Sequence, residues 1–289
     1  MRFFCSPKYP PSSYPERLPE YLQKQQESSA SVFIERVPNN ADDALIEEVN
    51  AVLTRSFTGN RKISGEAMFD WFIGPDFPRD DPKFEAQRLE FNGFFMKYAF
   101  FMALEYGLVV IARDGGPTGK VLGAVCAHPP GTAHVTNTYG WHTLKATFRI
   151  GQGPPRVLGK KPYKRVHILE DAMKKMHNPA KAFSKAANPN GTPPWYVHLL
   201  ATDIDAQSRG CGSALLNCIH YLADCDAADT MLEYSGSRKE GYYCGRHQYK
   251  NFGEKVTLLD PLQEKDHLAC TATAAIRSYR QPQLPQPPR

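Results

Sequence analysis

The stretch of this 289-residue chain most able to do chemistry is Leu199-Leu-Ala-Thr-Asp-Ile-Asp-Ala-Gln207-Ser-Arg-Gly210-Cys-Gly212-Ser-Ala-Leu-Leu216. It reads as an apolar strand, a polar turn, a glycine-bearing loop and an amphipathic helix. Glycines at 210 and 212 remove side chains where the backbone must bend tightly. Successive N–H groups at the helix start can then point outward at an anion, aided by the helix dipole. The loop is a candidate pyrophosphate cradle. Its spacing is not that of the G-x-x-x-x-G-K-S/T phosphate loop, and the dinucleotide fingerprint fails because Leu215 stands where its third glycine belongs.

The wider context narrows the choice. Gln207-Ser-Arg-Gly210-Cys-Gly212 follows Trp195-Tyr-Val-His-Leu-Leu-Ala-Thr-Asp203 and precedes Met231-Leu-Glu-Tyr-Ser-Gly236 and Tyr242-Tyr-Cys-Gly-Arg-His-Gln-Tyr249. This succession resembles the central motif of the GNAT superfamily of acetyl-CoA-dependent N-acetyltransferases, Q/R-x-x-G-x-G/A between a strand and a helix, with a later Tyr-x-Arg-x-Gly-Phe element. Two departures stand out: Gln248-Tyr249 replaces the usual Gly-Phe, and Ile204 lies where many members have proline. The match is specific from residue 195 to 249 and looser upstream.

The resemblance implies an α/β (α+β) fold with a mixed central β-sheet flanked by helices, and a large basic insertion before the CoA-binding strand. It implies that the strands on either side of the loop splay apart to admit a thioester. Leu200, Ala201 and Thr202 would offer backbone contacts to the pantetheine and acyl group, and Gln207, Ser208, Arg209, Gly210, Cys211, Gly212 and Ser213 would surround the phosphates. Backbone N–H near Leu200 would stabilise the oxyanion. An amine attacks only when neutral, and a leaving thiolate benefits from a proton donor. In arylalkylamine-type members a histidine occupies the position of His198, two residues before Leu200 and on the same face of a regular strand, which makes it the candidate base. Tyr243 is the candidate acid if one residue is inserted before Arg246; without that insertion the position falls to Cys244. His198, Tyr242 and Tyr243 also fit plain packing roles. Acetyl-CoA is the implied co-substrate, a small-molecule or peptide amine the implied acceptor, and no metal is called for.

Stepping outward to the elements, Ser31 to Val37 reads as a strand, and Asp42 or Asp43 can cap a helix carrying Leu45, Val49, Val52 and Leu53 at helical spacing. Phe84 to Tyr106 reads as a helix ended by Gly107. Leu108–Arg113 and Val121–Ala127 form a hairpin, and Trp195–Thr202 is the strand before the loop. A helix covers Ser213 to Asp226 and a strand Thr230 to Tyr234. Glu254–Leu259 and Leu268–Ala275 are the last strands. The first thirty residues and 280–289 read as irregular ends outside the core, leaving 31–279 as one domain. Within it, 132–194 is an insertion that looks helical only from Val166 to Ala187, with Pro179 expected to break the helix.

Composition fits this division. With 42% hydrophobic and 22% charged residues the chain can bury a large core, and no run is long and apolar enough for a membrane span. Absence of a secretory pattern, and an odd cysteine count of seven without a C-x-x-C pair, point to an intracellular protein with reduced thiols. The expected location is cytoplasmic, with a nuclear one left open. Net charge is +5, yet Arg156 to Lys185 holds nine basic residues against two acidic ones, so the rest of the chain is net negative. Two other readings therefore remain beside acetyl transfer: a catalytically silent acyl-CoA-binding protein, and an interaction protein that uses the basic 156–185 segment, nucleic acid being the less expected partner.

Overall fold

The structure is a computed structural model that describes residues 12–28, 32–60, 62–132, 141–188, 191–264 and 269–285. Seven strands form one sheet: β1 (Val32–Arg36), β2 (Leu108–Asp114), β3 (Val121–His128), β4 (Trp195–Thr202), β5 (Thr230–Ser235), β6 (Lys250–Leu258) and β7 (Cys270–Arg277). They lie in the order β1-β2-β3-β4-β5-β7-β6. Every neighbouring pair is antiparallel except β4 and β5, which run parallel. Strand β6 starts four residues before the expected Glu254, and β7 ends two residues beyond the expected Ala275, while the expected start at Leu268 lies outside the described residues.

Helices α2 (Asp43–Thr58) and α4 (Glu85–Tyr106) cover one face of β1–β4. Asp42 caps α2 by accepting from the backbone N–H of Leu45 at 2.8 Å, settling the choice between Asp42 and Asp43. Val49, Val52, Leu53, Phe100 and Ala103 pack there on Val109, Ile111 and Ala124. On the opposite face, α7 (Cys211–Cys225) sets Leu215, Leu216, Ile219 and Leu222 against Val110, Val125 and Val197. Strand alternation explains the division, since residues two apart share a face.

Three parts differ from the sequence reading. The first is α1 (Tyr14–Ser28), a helix where an irregular end was expected. Leu18 and Tyr21 are 2% and 3% exposed and enter the α7-side core, while Ser13 anchors the helix to Asp226 through its backbone N–H at 2.8 Å and its hydroxyl at 2.7 Å. Apolar residues at i, i+3 and i+4 supply a docking face that Pro19 and the polar residues mask in composition. At the other end, Leu284 packs against the same core while no strand or helix follows β7 among the described residues. Residues 1–11 and 286–289 of the expected tails lie outside the described residues.

The second is the insertion, which holds α5 (Trp141–Ile150) and the long α6 (Lys161–Ala187). Helix α6 runs through Pro179 without a break. Ala172, Met176, His177, Ala180 and Ser184 form its buried face, and that burial outweighs the one backbone bond a proline forfeits. The nine basic side chains do not form one face: Arg165 is wholly buried against Asp260 at 3.2 Å and Glu264, and Lys161 pairs with Asp76 at 2.6 Å. The third is α3 (Ala67–Ile73), whose Trp71, Phe72 and Ile73 are buried.

Candidate functional site

The loop between β4 and α7 takes the shape its glycines require. Ser208 sits at φ +69° and Gly210 at φ +86°. The left-handed turn at Gly210 starts α7 directly, so the first N–H groups of the helix, which have no intrahelical acceptor, face outward. Ser208, Arg209 and Gly210 are exposed. Gly212 is needed for closeness, because a Cβ there would sit 3.0 Å from Tyr242 Oη and 3.3 Å from Thr202 Oγ1. Cys211 is 1% exposed and belongs to the core, so only its backbone is available. The Arg209 guanidinium pairs with Asp114 at the end of β2, and Gln207 Oε1 accepts from Arg238 at 3.0 Å. Ser213 Oγ meets His247 Nε2 at 3.1 Å and Tyr242 Oη at 3.4 Å, which fastens the segment after β5 onto the loop.

Strands β4 and β5 pair only at Trp195 with Thr230 and Tyr196 with Met231. Beyond Tyr196 they diverge, and the β5-facing backbone edge of Val197 to Thr202 is left without a neighbouring strand. Leu200, Ala201 and Thr202 keep their pairing on the other side, to Val125, Ala124 and Gly123. The splayed gap expected from the resemblance is present. Asp203 pins the end of β4: Arg55 donates to it at 2.6 Å and Lys120 lies at 3.5 Å. Burial opposes ionisation of Asp203, yet Arg55 and then Lys120 hold its carboxyl below the usual range.

His198 is placed by a feature absent from a regular strand. The β3–β4 register skips one residue, pairing Ala127 with Val197 and Cys126 with Leu199, so His198 is the extra residue of a β-bulge. The bulge reverses the alternation: Trp195 and Val197 face the α7-side core, while Leu199 and Ala201 face α2 and α4. His198 therefore does not share a face with Leu200 as the sequence spacing suggested. Leu200 packs toward α7, and the His198 ring stacks on Tyr196 with centroids 5.4 Å apart. Its Nδ1 has no hydrogen-bond partner among the described residues. Burial lowers its pKa to about 4, which keeps the imidazole neutral near pH 7.

The gap backs onto a cavity of about 400 Å³. Helices α2, α3 and α4 give it Phe57, Phe69, Phe72, Phe94 and Phe95, and α6 adds Val166, Leu169 and Met173. His198, Leu200, Glu233 and Tyr243 line the side toward the sheet. Tyr243 lines the cavity, whereas Cys244 Sγ donates to Asn251 Oδ1 at 3.3 Å. Burial first, then Tyr242, raises the Tyr243 phenol well above its usual value, so it stays protonated. Gln248, where glycine is usual, stands at φ +61°.

Sequence reasoning passed over several cavity groups. Glu66, 7% exposed at the start of α3, accepts from Ser235 Oγ and pairs with Lys239. Glu233 lies against His177 of α6, and burial raises its carboxyl to about 8. Neither carboxylate has a spacing signal, because their partners are distant in the chain. Strand alternation places Glu233 on a covered face, and that is the one clue the sequence holds.

No protein-family model matches the chain, and no curated protein sequence does. Solved structures do. Arylalkylamine N-acetyltransferase 2 from Aedes aegypti aligns with a TM-score of 0.53 and 8% identity, over 86% of this chain and 99% of its own. The Drosophila melanogaster polyamine N-acetyltransferase, described as forming N-acetylagmatine, gives 0.47 at 14% identity over 86% and 99%. An HPA2-related acetyltransferase from Corynebacterium glutamicum gives 0.43 at 18% over 88% and 98%. With its seven-stranded mixed sheet, splayed central pair and glycine loop leading a helix, the chain has the fold of the GNAT acetyltransferases.

Proposed function

We propose that the protein is an N-acetyltransferase that moves an acetyl group from acetyl-CoA to a primary amine by direct attack in a ternary complex. One observation carries this reading: the strand gap joins an anion-ready helix start at one end to a largely apolar cavity lined by His198 and Tyr243 at the other. The residues fit the co-substrate. Backbone N–H groups of Cys211, Gly212 and Ser213 suit the pyrophosphate, and the free β5-facing edge of β4 from Val197 to Thr202 suits the pantetheine amides. Acetyl-CoA supplies an activated acetyl thioester.

The chain's own groups then divide the work. Free backbone N–H near Leu200 stabilises negative charge developing on the carbonyl oxygen. Tyr243, held protonated by burial, donates to the leaving sulfur. Neutral His198 offers Nδ1 to the amine and orients it. Because most of the cavity wall is aromatic or aliphatic, the acceptor is a small amine with an apolar body. Aromatic faces also favour a single cationic head by cation–π attraction.

Acetyl-CoA should raise the melting temperature of the protein, and Gly210→Asp should abolish that rise while the unliganded fold persists. No rise at saturating acetyl-CoA would remove the reading. Thiol release against a broad amine panel tests turnover, with His198→Ala and Tyr243→Phe each expected to lower kcat about 10²-fold or more. A melting shift without thiol release for any amine would instead favour a silent acyl-CoA binder.

A further inference from the structure

On the acetyltransferase reading, which this inference presupposes, each turnover has one proton to discard. An ordinary primary amine enters as R–NH3+, and the balance is R–NH3+ plus acetyl-CoA giving R–NH–acetyl, CoA–SH and H+. That proton must leave before the nitrogen lone pair can attack. Phenylalanine and methionine side chains cannot take it. His198 holds protons too weakly to store one, since burial lowers it to about 4.

Beside the cavity lies a cluster of buried titratable groups drawn from four elements. Glu233 of β5 is 4% exposed and lines the cavity. Its Oε1 meets Nε2 of His177, which is 2% exposed and carried by α6. Its Oε2 accepts a hydrogen bond from Tyr196 Oη of β4 at 3.1 Å. The Tyr196 ring lies 4.8 Å from His177, 5.4 Å from His198 and 6.2 Å from His128 of β3. Lys181, four residues along α6 from His177, places a positive charge toward Glu233.

Tyr196, His128 and Lys181 are also walls of a second cavity, about 250 Å³, that is bounded by exposed Gly131 and Lys185. The Glu233–Tyr196 hydrogen bond thus links the acceptor cavity to a second one that reaches the surface.

We propose that Glu233, paired with His177 of the insertion helix, takes the proton of the incoming ammonium, and that Tyr196 passes it toward the second cavity and solvent. An N–H bond of R–NH3+ breaks as an O–H bond forms on the Glu233 carboxylate. The freed lone pair forms the C–N bond to the thioester carbonyl, and the C–S bond then breaks. The second N–H proton, lost from the tetrahedral nitrogen, goes to the departing sulfur by way of Tyr243. Release restores the carboxylate: the Tyr196 hydroxyl, which donates to Glu233 Oε2 at rest, turns to give its own proton to water of the second cavity as it takes the one from Glu233.

The energetics agree with the geometry. An ordinary carboxylate, with a pKa near 4.3, is a poor match for an alkylammonium. Burial lifts Glu233 to about 8, which brings its proton affinity much nearer that of an amine. Burial first, then Lys181 and His198, lowers His177 to about 3, so the imidazole stays neutral and does not compete with Glu233 for the proton. Above pH 8 the carboxylate form prevails and the site is ready.

The test uses the full chain, the best acceptor from the amine panel, and a fluorinated analogue of that acceptor whose ammonium is far more acidic. Wild-type kcat should rise with pH through about 8. In Glu233→Gln that rise should vanish and kcat should fall about 10²-fold for the basic amine. The fluorinated amine, already neutral, should lose far less, and the melting shift with acetyl-CoA should be unchanged. Glu233→Asp should recover part of the rate. Without any turnover, infrared spectra of the wild type should show a protonated carboxyl band that disappears near pH 8 and is missing in Glu233→Gln. Equal losses for both amines with the pH rise intact, or a band that titrates in the ordinary carboxylate range, would overturn the proposal. A wild type that releases no thiol with any amine overturns the acetyltransferase reading and this role together.

Discussion

Gly210 and Gly212 act through different constraints, and single substitutions separate them. Gly210 has open space around a Cβ but a φ of +86°, so Gly210→Ala should cost about 1–2 kcal/mol of stability through backbone strain. Gly212→Ala instead presses on Tyr242 Oη and Thr202 Oγ1. It should disturb the Ser213–Tyr242 contact and weaken acetyl-CoA affinity several-fold by titration calorimetry, with a smaller effect on melting. The buried acids and bases also set the pH response. Glu233 is raised from 4.5 to about 8, so its contribution is whole below pH 4.5 and is lost as pH rises through 8. His198, His177 and His247 are lowered from 6.5 to about 4, 3 and 4, all chiefly by burial. Their contribution is whole above pH 6.5 and is lost as pH falls toward 4. Melting temperature against pH should peak at about pH 7, and Glu233→Gln should steepen the acid side above pH 4.5 and flatten the alkaline side up to pH 8.

At the scale of elements, the hairpin, β4 and α7 were legible because each is written in contiguous residues: apolar alternation, a turn, then a helical stripe. The bulge at His198 was not, since nothing in Val197-His-Leu marks which residue β3 will skip. Helix α6 was misread at Pro179 for a related reason. Its continuity depends on a partner surface over α3, β6 and β7, and no local propensity reports that surface. The anchor of α6 is Arg165, whose Nη1 donates to the Ile73 carbonyl at 3.0 Å while its guanidinium holds Asp260 and Glu264. Gly74 makes room for it, as a Cβ there would lie 2.3 Å from Nη1. Arg165→Met should destabilise the protein by about 3–5 kcal/mol in denaturant titration, because two carboxylates lose their buried partner. Hydrogen exchange should quicken first along α6, and with it the apolar wall of the cavity loosens. The basic segment contributes Val166, Leu169 and Met173 to the cavity wall, while its Arg165 works inside the core.

For the whole molecule, the C-terminal end of α7 and the turn after it gather distant parts of the chain. Asp224 holds Arg277 of β7 with two contacts of 2.9 Å, Asp226 holds Ser13 and Trp195 Nε1, and Asp229 holds Ser184 of α6 at 2.6 Å. Deleting residues 1–28 removes Leu18 and Tyr21 from the core, and at about 1.5–3 kcal/mol for each large apolar side chain buried it should lower the melting temperature by several degrees. The truncated protein should still bind acetyl-CoA, since α1 lies against α7 and β1 and none of its residues lines the cavity. Asp226→Ala should reproduce much of the loss.

The same arrangement dictates an order of events during synthesis. Ser13 and Asp226 are 213 positions apart, so α1 lacks this anchor until 213 further residues have been made. At about 5–20 residues per second that wait lasts on the order of ten seconds or more. During it the apolar stripe of α1 lacks its α7-side cover, with Glu16, Arg17, Glu20 and Lys24 as its charged neighbours. The anchor of α1 is therefore available only once β1 to β4 and α7 have all been made.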